Sequence, residues 1–215
     1  MSEPSNGTGL REHVLLFSRF LRSPRTVGAL TASSRALAEA MVAGLDLSGP
    51  CRIVELGPGT GVFTAAIVER IGPETKFLAM DIEPAFVRQI RKRWPAVDCV
   101  CASAECLDAI AGDRDMLPVD HIVSGLPFVS LPPQVTRQIL ERVALVLRPG
   151  GTFTTFQYLP GYGLPSAVSF RRSMTARLGA GPSVRLVVRN VPPALVLTWK
   201  KKLTSVLPAL SNAAD

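Results

Sequence analysis

In the stretch IVELGPGTGVFT, Ile53–Thr64, three glycines stand at every second position, 57, 59 and 61, directly after an apolar run. Glycine costs backbone entropy wherever it is ordered, so three in five residues imply a geometry that side chains would block. An acidic residue, Glu55, sits two positions before the first of them, and a helix-like run begins at the last. A strand, a tight turn and a helix start, in that order, leave unpaired backbone N–H groups around a surface free of side chains. The stretch therefore predicts a ligand lying against bare backbone. It also constrains the fold, because such a turn belongs at the carboxyl end of a strand in an open α/β sheet.

The rest of the chain has the matching rhythm. Strand-like runs at 51–56, 76–81, 97–101, 119–124 and 151–157 alternate with helix-like runs at 61–70, 84–94, 104–111 and 133–147. Such alternation predicts a mostly parallel sheet with helices on both faces. The glycines of RPGG, 148–151, are expected to stop the last of these helices. After a helix near 166–178 come two more strand-like runs, 183–190 and 194–199, joined through Pro192-Pro193. They are expected to close the sheet as a hairpin with one antiparallel strand, seven strands in all.

Two helices are expected ahead of the sheet. Leu10, Val14, Phe17 and Leu21 fall on one stripe, widened by Leu16 and Phe20, with Arg11, Glu12, Arg19 and Arg22 opposite, and Pro24 ends the pattern. A second helix is expected after Ser33 or Ser34 as N-cap, with Leu37, Met41 and Leu45 turned inward. The predicted organisation is a tail at 1–9, N-terminal helices at 10–48, one α/β domain at 49–203 and a tail at 204–215.

Composition bounds the partners. Hydrophobic residues make up 47% of 215, enough for one sizeable core. The net charge of +7 favours polyanions, with nucleic acid and anionic lipid as the two candidates. No window reaches the roughly 18 apolar residues of a membrane span. Met1–Gly9 is polar and Val14–Phe17 is too short for a signal-peptide core, so a cytosolic location, or the cytosolic face of a membrane, is expected. Of four cysteines, three lie in DCVCASAEC, without the second pair or nearby histidines of a zinc site. No metal is expected, and reduced, mostly buried thiols are.

Three ligand classes use glycine turns. A P-loop needs a lysine after the glycines, and GVFT has none. A dinucleotide fold uses G-x-G-x-x-G, whereas the spacing here is G-x-G-x-G. The tighter form, preceded by Glu55, resembles the first motif of class I S-adenosylmethionine-dependent methyltransferases, with their Rossmann-like fold. The resemblance implies that Glu55 faces the amino-acid end of the donor, and that Gly57, Gly59, Thr60 and Gly61 admit its carboxylate and ribose. Asp81 ends the next strand, in KFLAMDIEP, twenty residues after Gly61. A carboxylate there can accept from both ribose hydroxyls, with Ile82 beside it, or it can serve as a helix N-terminal charge. Ser103 stands where the family often has an acid for the adenine, so Ser103 and the Ala104 backbone are the expected adenine contacts.

DHIVSGLPF closes the fourth strand. Amine-methylating members of the class carry an Asn-Leu-Pro-aromatic or similar loop here, and Ser124-Gly125-Leu126-Pro127-Phe128 keeps its Leu-Pro-aromatic part. A plain turn before a helix is the alternative. Taken with FLRSPRTVGALTASSRALA, TTFQY (Thr154–Tyr158) and RNVPPALV (Arg189–Val196), the chain from about Phe17 to Trp199 resembles bacterial phospholipid N-methyltransferases. The resemblance implies successive methylation of phosphatidylethanolamine toward phosphatidylcholine, with S-adenosylhomocysteine as co-product. It also implies an enzyme held peripherally at the inner face of the cell membrane by its N-terminal amphipathic helix, with no nucleic acid partner.

On this reading Arg19, Arg22 and Arg25 meet lipid phosphates, assisted by Lys200, Lys201 and Lys202. Leu126, Pro127 and Tyr162 flank the acceptor. Tyr158, Tyr162 and Phe128 hold the methylated cation on their ring faces, and Tyr158 or the Ser124 carbonyl orients the amine. His121, inside an apolar strand, is expected to be structural. The rivals are an adenine N6-methyltransferase acting on ribosomal RNA and a non-catalytic membrane- or RNA-binding protein that retains the fold.

Overall fold

Ile53, Val54 and Leu56 leave β1 (Arg52–Leu56) no polar face, so the strand is buried on both sides. In the computed structural model, which describes residues 27–203 apart from Ser48, β1 runs parallel between β2 (Lys76–Asp81) and β4 (Val119–Ser124). With β3 (Asp98–Cys101), β5 (Leu147–Tyr158), β6 (Ser183–Val187) and β7 (Ala194–Lys200) the sheet has seven strands in the order β3-β2-β1-β4-β5-β7-β6. Strand β7 is antiparallel to both of its neighbours. The mostly parallel sheet and its antiparallel hairpin are thus as the sequence predicts.

Side-chain alternation along the strands sorts the helices into two layers. Ile53, Ala79 and Val123 pack with Met41 of α1 (Val27–Val42), Ile67 of α2 (Val62–Val68) and Val87 of α3 (Pro84–Arg93). Val54, Met80 and Ile122 pack with Leu107 of α4 (Leu107–Asp113), Leu140 of α5 (Pro133–Val146) and Met174 of α6 (Pro165–Leu178). Each large side chain removed from water in this way contributes about 1.5–3 kcal/mol. Glu55 belongs to the Ile53 row and is carried into the first layer with no exposed surface.

The structure departs from expectation at several boundaries. Helix α1 already runs from Val27, so Ser33 and Ser34 lie inside it rather than at its start. No proline interrupts Val27–Val42, and a serine's weak helix preference gives way to that continuity. Leu45 lies past the helix end, partly buried against the same core. Strand β5 begins at Leu147, before RPGG; the ladder with β4 slips between Val119↔Leu147 and His121↔Thr152 to absorb the glycines. Strand β6 ends at Val187, three residues short of the predicted run.

Cys51 and Cys99 are buried, whereas Cys101 and Cys106 at the rim of the edge strand are exposed, so only half of the thiols are inside. Lys201 is buried as well. Its ammonium donates to the carbonyls of Ala144 and Leu147 at 2.7 and 2.8 Å, closing the end of α5, and is not available to a lipid. The predicted first helix, with Arg19 and Arg22, and Arg25 after it, lie outside the described residues. No described helix is long and apolar enough to cross a membrane.

Candidate active site

From β1 the chain winds outward to β2 and β3, then returns across the sheet to β4 on the other side of β1. The carboxyl ends of β1 and β4 therefore diverge into the crevice where open α/β sheets take their ligands. The loops after these strands extend the ladder: Gly57 N–H donates to Met80 O, and Gly125 N–H to Leu56 O, both at 2.8 Å. They pass so closely that a Cβ on Gly125 would stand 2.6 Å from the Gly57 carbonyl. That contact accounts for Ser-Gly in place of a larger residue before Leu126.

The three loop glycines all have positive φ but divide the work. A Cβ on Gly61 would strike Trp94 at 2.5 Å and Ile90 at 2.8 Å, so this glycine packs the start of α2 against α3. Gly61 is absent from the cleft wall. A Cβ on Gly59 would meet nothing within 4 Å; its open side faces the cleft. Gly57 and Thr60 also line that cleft, which opens to solvent.

Asp81 lies in the cleft wall where β2 ends, with Ile82 beside it. Its Oδ2 accepts from Gly59 N–H and its Oδ1 from Glu83 N–H. Burial raises its carboxyl above the usual range, against the pull of these backbone donors. Ser103 and Ala104 line the same cleft, the serine hydroxyl donating to Glu105 Oε2 at 2.9 Å and accepting from Glu105 N–H at 3.2 Å. Glu55 stands behind the loop instead of in the wall. Thr64 Oγ1 donates to its Oε2 at 2.7 Å, and Oε1 has no hydrogen-bond partner among the described residues. Burial, with a smaller push from Asp81, raises the Glu55 carboxyl to about 8.

The other half of the cleft is apolar and aromatic. Leu126 and Pro127 line it, as does Tyr158, whose hydroxyl is raised by burial. Phe63 and Phe156 meet edge to face at 5.8 Å between centroids, and Phe156 meets Tyr158 in the same manner at 5.3 Å. Asn190 completes this side; its Nδ2 donates to Pro192 O at 2.7 Å, which leaves the amide oxygen to accept. Sequence reasoning missed Phe63, Phe156 and Asn190 as site residues. The two-residue spacing of Phe156 and Tyr158, which puts them on one side of a strand, was the available signal.

Other expected acceptor residues sit elsewhere. Ser124 is fully buried outside the cleft wall, and its carbonyl accepts from Thr155 Oγ1 at 3.0 Å. Phe128 turns into the core, stacked on Phe170 at 4.6 Å, because Pro127 ends the loop and the next turn packs against α6. Tyr162 is outside the cleft, and the Arg171 guanidinium covers its ring at 3.8 Å. His121 is structural, with Nε2 on Asp46 O and Nδ1 on Thr152 Oγ1. Among the described residues no group of His, Cys, Asp and Glu could hold a metal ion.

A glycine turn open to a cleft, an acid at the end of the next strand and a sheet closed by an antiparallel strand define a methyltransferase of the class I fold. A family model described as a methyltransferase domain matches residues 53–151, and the chain belongs to the S-adenosylmethionine-dependent methyltransferases. It is 29% identical over 154 residues to an ornithine lipid N-methyltransferase of Singulisphaera acidiphila, covering 70% of this chain and 80% of that protein. It is 31% identical over 200 residues to a malonyl-[acyl-carrier protein] O-methyltransferase of Methylococcus capsulatus, covering 80% and 69%. A solved Burkholderia thailandensis 1,6-didemethyltoxoflavin-N1-methyltransferase superposes with a TM-score of 0.64 at 20% identity, over 94% of this chain and 93% of that one.

The residues present fit S-adenosylmethionine. Gly59 offers a cradle without a side chain, and Asp81 keeps a lone pair on each oxygen for a diol. Gly59, Asp81, Ser103 and Ala104 are the wall residues that would hold it.

Proposed function

We propose that this chain methylates the amine of phosphatidylethanolamine and of its mono- and dimethyl forms, toward phosphatidylcholine, at the inner face of the cell membrane. The observation that carries the proposal is the aromatic row Phe63–Phe156–Tyr158 in the same cleft as the donor-side residues. Ring faces attract ammonium and its methylated forms without demanding N–H donors, so one pocket serves each successive acceptor. The likeness to a lipid N-methyltransferase supports the same class of acceptor.

Bound S-adenosylmethionine supplies an electrophilic methyl group; the chain supplies position and environment. Leu126, Pro127 and Phe156 exclude water from the acceptor side, and Asn190 Oδ1 can accept an amine N–H. Orienting a nucleophile in this way lowers a barrier by as much as about 7–11 kcal/mol. Among the described residues of the cleft wall only Asp81 and Tyr158 titrate, and the Tyr158 hydroxyl is raised, so it stays protonated near neutrality. The amine therefore enters as its free base or gives its proton to solvent. At the membrane, Arg19, Arg22 and Arg25 of the N-terminal segment bind anionic lipid beside the apolar stripe of Leu10 to Leu21.

The ornithine lipid relative supports a second reading, in which the acceptor is the amine of an amino-acid lipid. One assay separates these. Purified protein with methyl-labelled donor is given liposomes containing phosphatidylethanolamine, its mono- and dimethyl forms, or ornithine lipid, or is given ribosomal RNA instead. Label in the phosphatidylethanolamine series is expected. Label in ornithine lipid alone selects the second reading, and label in RNA alone overturns both.

A further inference from the structure

Beside the cleft lies a second cavity, open on one side, which shares Leu126, Pro127, Phe156 and Tyr158 with it. Its remaining wall includes Phe128 and Phe170, stacked on each other, and one buried polar side chain, Gln157. Gln157 Oε1 accepts from Arg171 Nη1 at 2.7 Å, and Arg171 also donates to Tyr162 O at 2.8 Å. Arginine has no acceptor, so this contact fixes which end of the amide is oxygen. The other end, Nε2, is then a hydrogen-bond donor. It is buried and has no partner among the described residues.

A buried donor without an acceptor is an anomaly that calls for an explanation. Here the donor belongs to a residue in the wall of a mainly apolar cavity that shares four wall residues with the acceptor side of the cleft. Resting on the lipid acceptor proposed above, we infer that this second cavity takes the acyl portion of that lipid, with an acyl carbonyl oxygen accepting from Gln157 Nε2. Phe128 and Phe170 then meet the chain, while the amine stays with Phe156 and Tyr158. Ester and amide acyl groups present the same carbonyl, so the site serves phosphatidylethanolamine and amino-acid lipids alike. Arg171 is a positioning residue: it holds Gln157 in the orientation that presents its N–H groups.

Trp199 reports on this cavity, since its ring lies 5.8 Å from that of Phe170. In Trp94→Phe protein, where Trp199 is the only tryptophan, lysophosphatidylethanolamine with a brominated acyl chain is titrated and quenching is read. Saturable quenching is expected, absent with the unbrominated lipid. Gln157→Leu should weaken it at least tenfold, and so should Gln157→Glu, which keeps an acceptor for Arg171 and removes the N–H; affinity for S-adenosylhomocysteine should stay within twofold. No quenching of the Trp94→Phe protein, or equal quenching in both variants, overturns the inference. Methyl transfer to lipid without quenching keeps the activity and removes this site. Quenching without transfer keeps the site and removes the activity.

Discussion

Asp81 Oδ2 accepts the backbone N–H of Gly59 at 3.1 Å, tying the end of β2 to the middle of the glycine loop. Its other oxygen holds the chain as it enters α3. One buried carboxylate thus shapes the loop and still keeps lone pairs for a diol in the cleft. Hydrogen bonds to a charged group are worth about 1.5–3 kcal/mol, so Asp81→Asn should weaken S-adenosylhomocysteine binding roughly 10- to 100-fold. Calorimetry giving the wild-type Kd would remove the assignment.

Glu55 makes stability depend on pH. Its carboxyl rises from an ordinary 4.5 to about 8 in the folded chain, chiefly through burial. Between these values the folded chain keeps the proton and the unfolded chain has lost it, so stability falls as pH rises. The contribution is fully present below about 4.5 and is lost by about 8, a change on the order of 5 kcal/mol. Glu55→Gln mimics the protonated form and should flatten the fall in Tm across pH 5–8. An unchanged Tm profile would show that Glu55 is not protonated in the fold.

Loop glycines with unlike surroundings should respond unlike one another. Gly61→Ala drives a Cβ into Trp94 and Ile90 at a positive φ, and should lower Tm by several degrees. Gly59→Ala has the same backbone strain but no clash within 4 Å. Its Tm should fall less, while donor affinity falls more. Donor affinity retained in Gly59→Ala would place the ligand away from this glycine.

Tyr158 is expected to act through its ring. Tyr158→Phe keeps the face presented to a cation and should cost less than threefold in kcat/KM with the dimethyl lipid. Tyr158→Ala removes it and should cost at least tenfold, in line with about 2 kcal/mol for a desolvated contact. With no described wall residue other than Asp81 to take a proton near neutrality, the rate with phosphatidylethanolamine should climb with pH toward the amine's own pKa. A rate abolished in Tyr158→Phe would make the hydroxyl a proton-transfer group instead.

Removing residues 1–24 should lower sedimentation with anionic liposomes strongly while leaving S-adenosylhomocysteine affinity within twofold. Equal sedimentation of the shortened chain would refute a membrane role for the amphipathic stripe and its arginines.

Local sequence determined what local physics controls. The spacing of apolar runs specified each strand and helix of the sheet, and it put the glycine turn and Asp81 at the strand ends where the cleft opens, because turns and periodicity act over a few residues. Boundaries that depend on partners were not legible: α1 starts six residues before its apparent serine cap, and RPGG is absorbed into β5. The acceptor side belonged to the tertiary structure. Phe128 and Tyr162 read as open rings, yet Phe170 stacks on one and Arg171 covers the other. Phe63 and Asn190 lie 127 positions apart and reach one cleft only when the sheet closes. Which face of a ring is covered, and which buried amide lacks a partner, follows from packing between distant segments, and no local pattern encodes it.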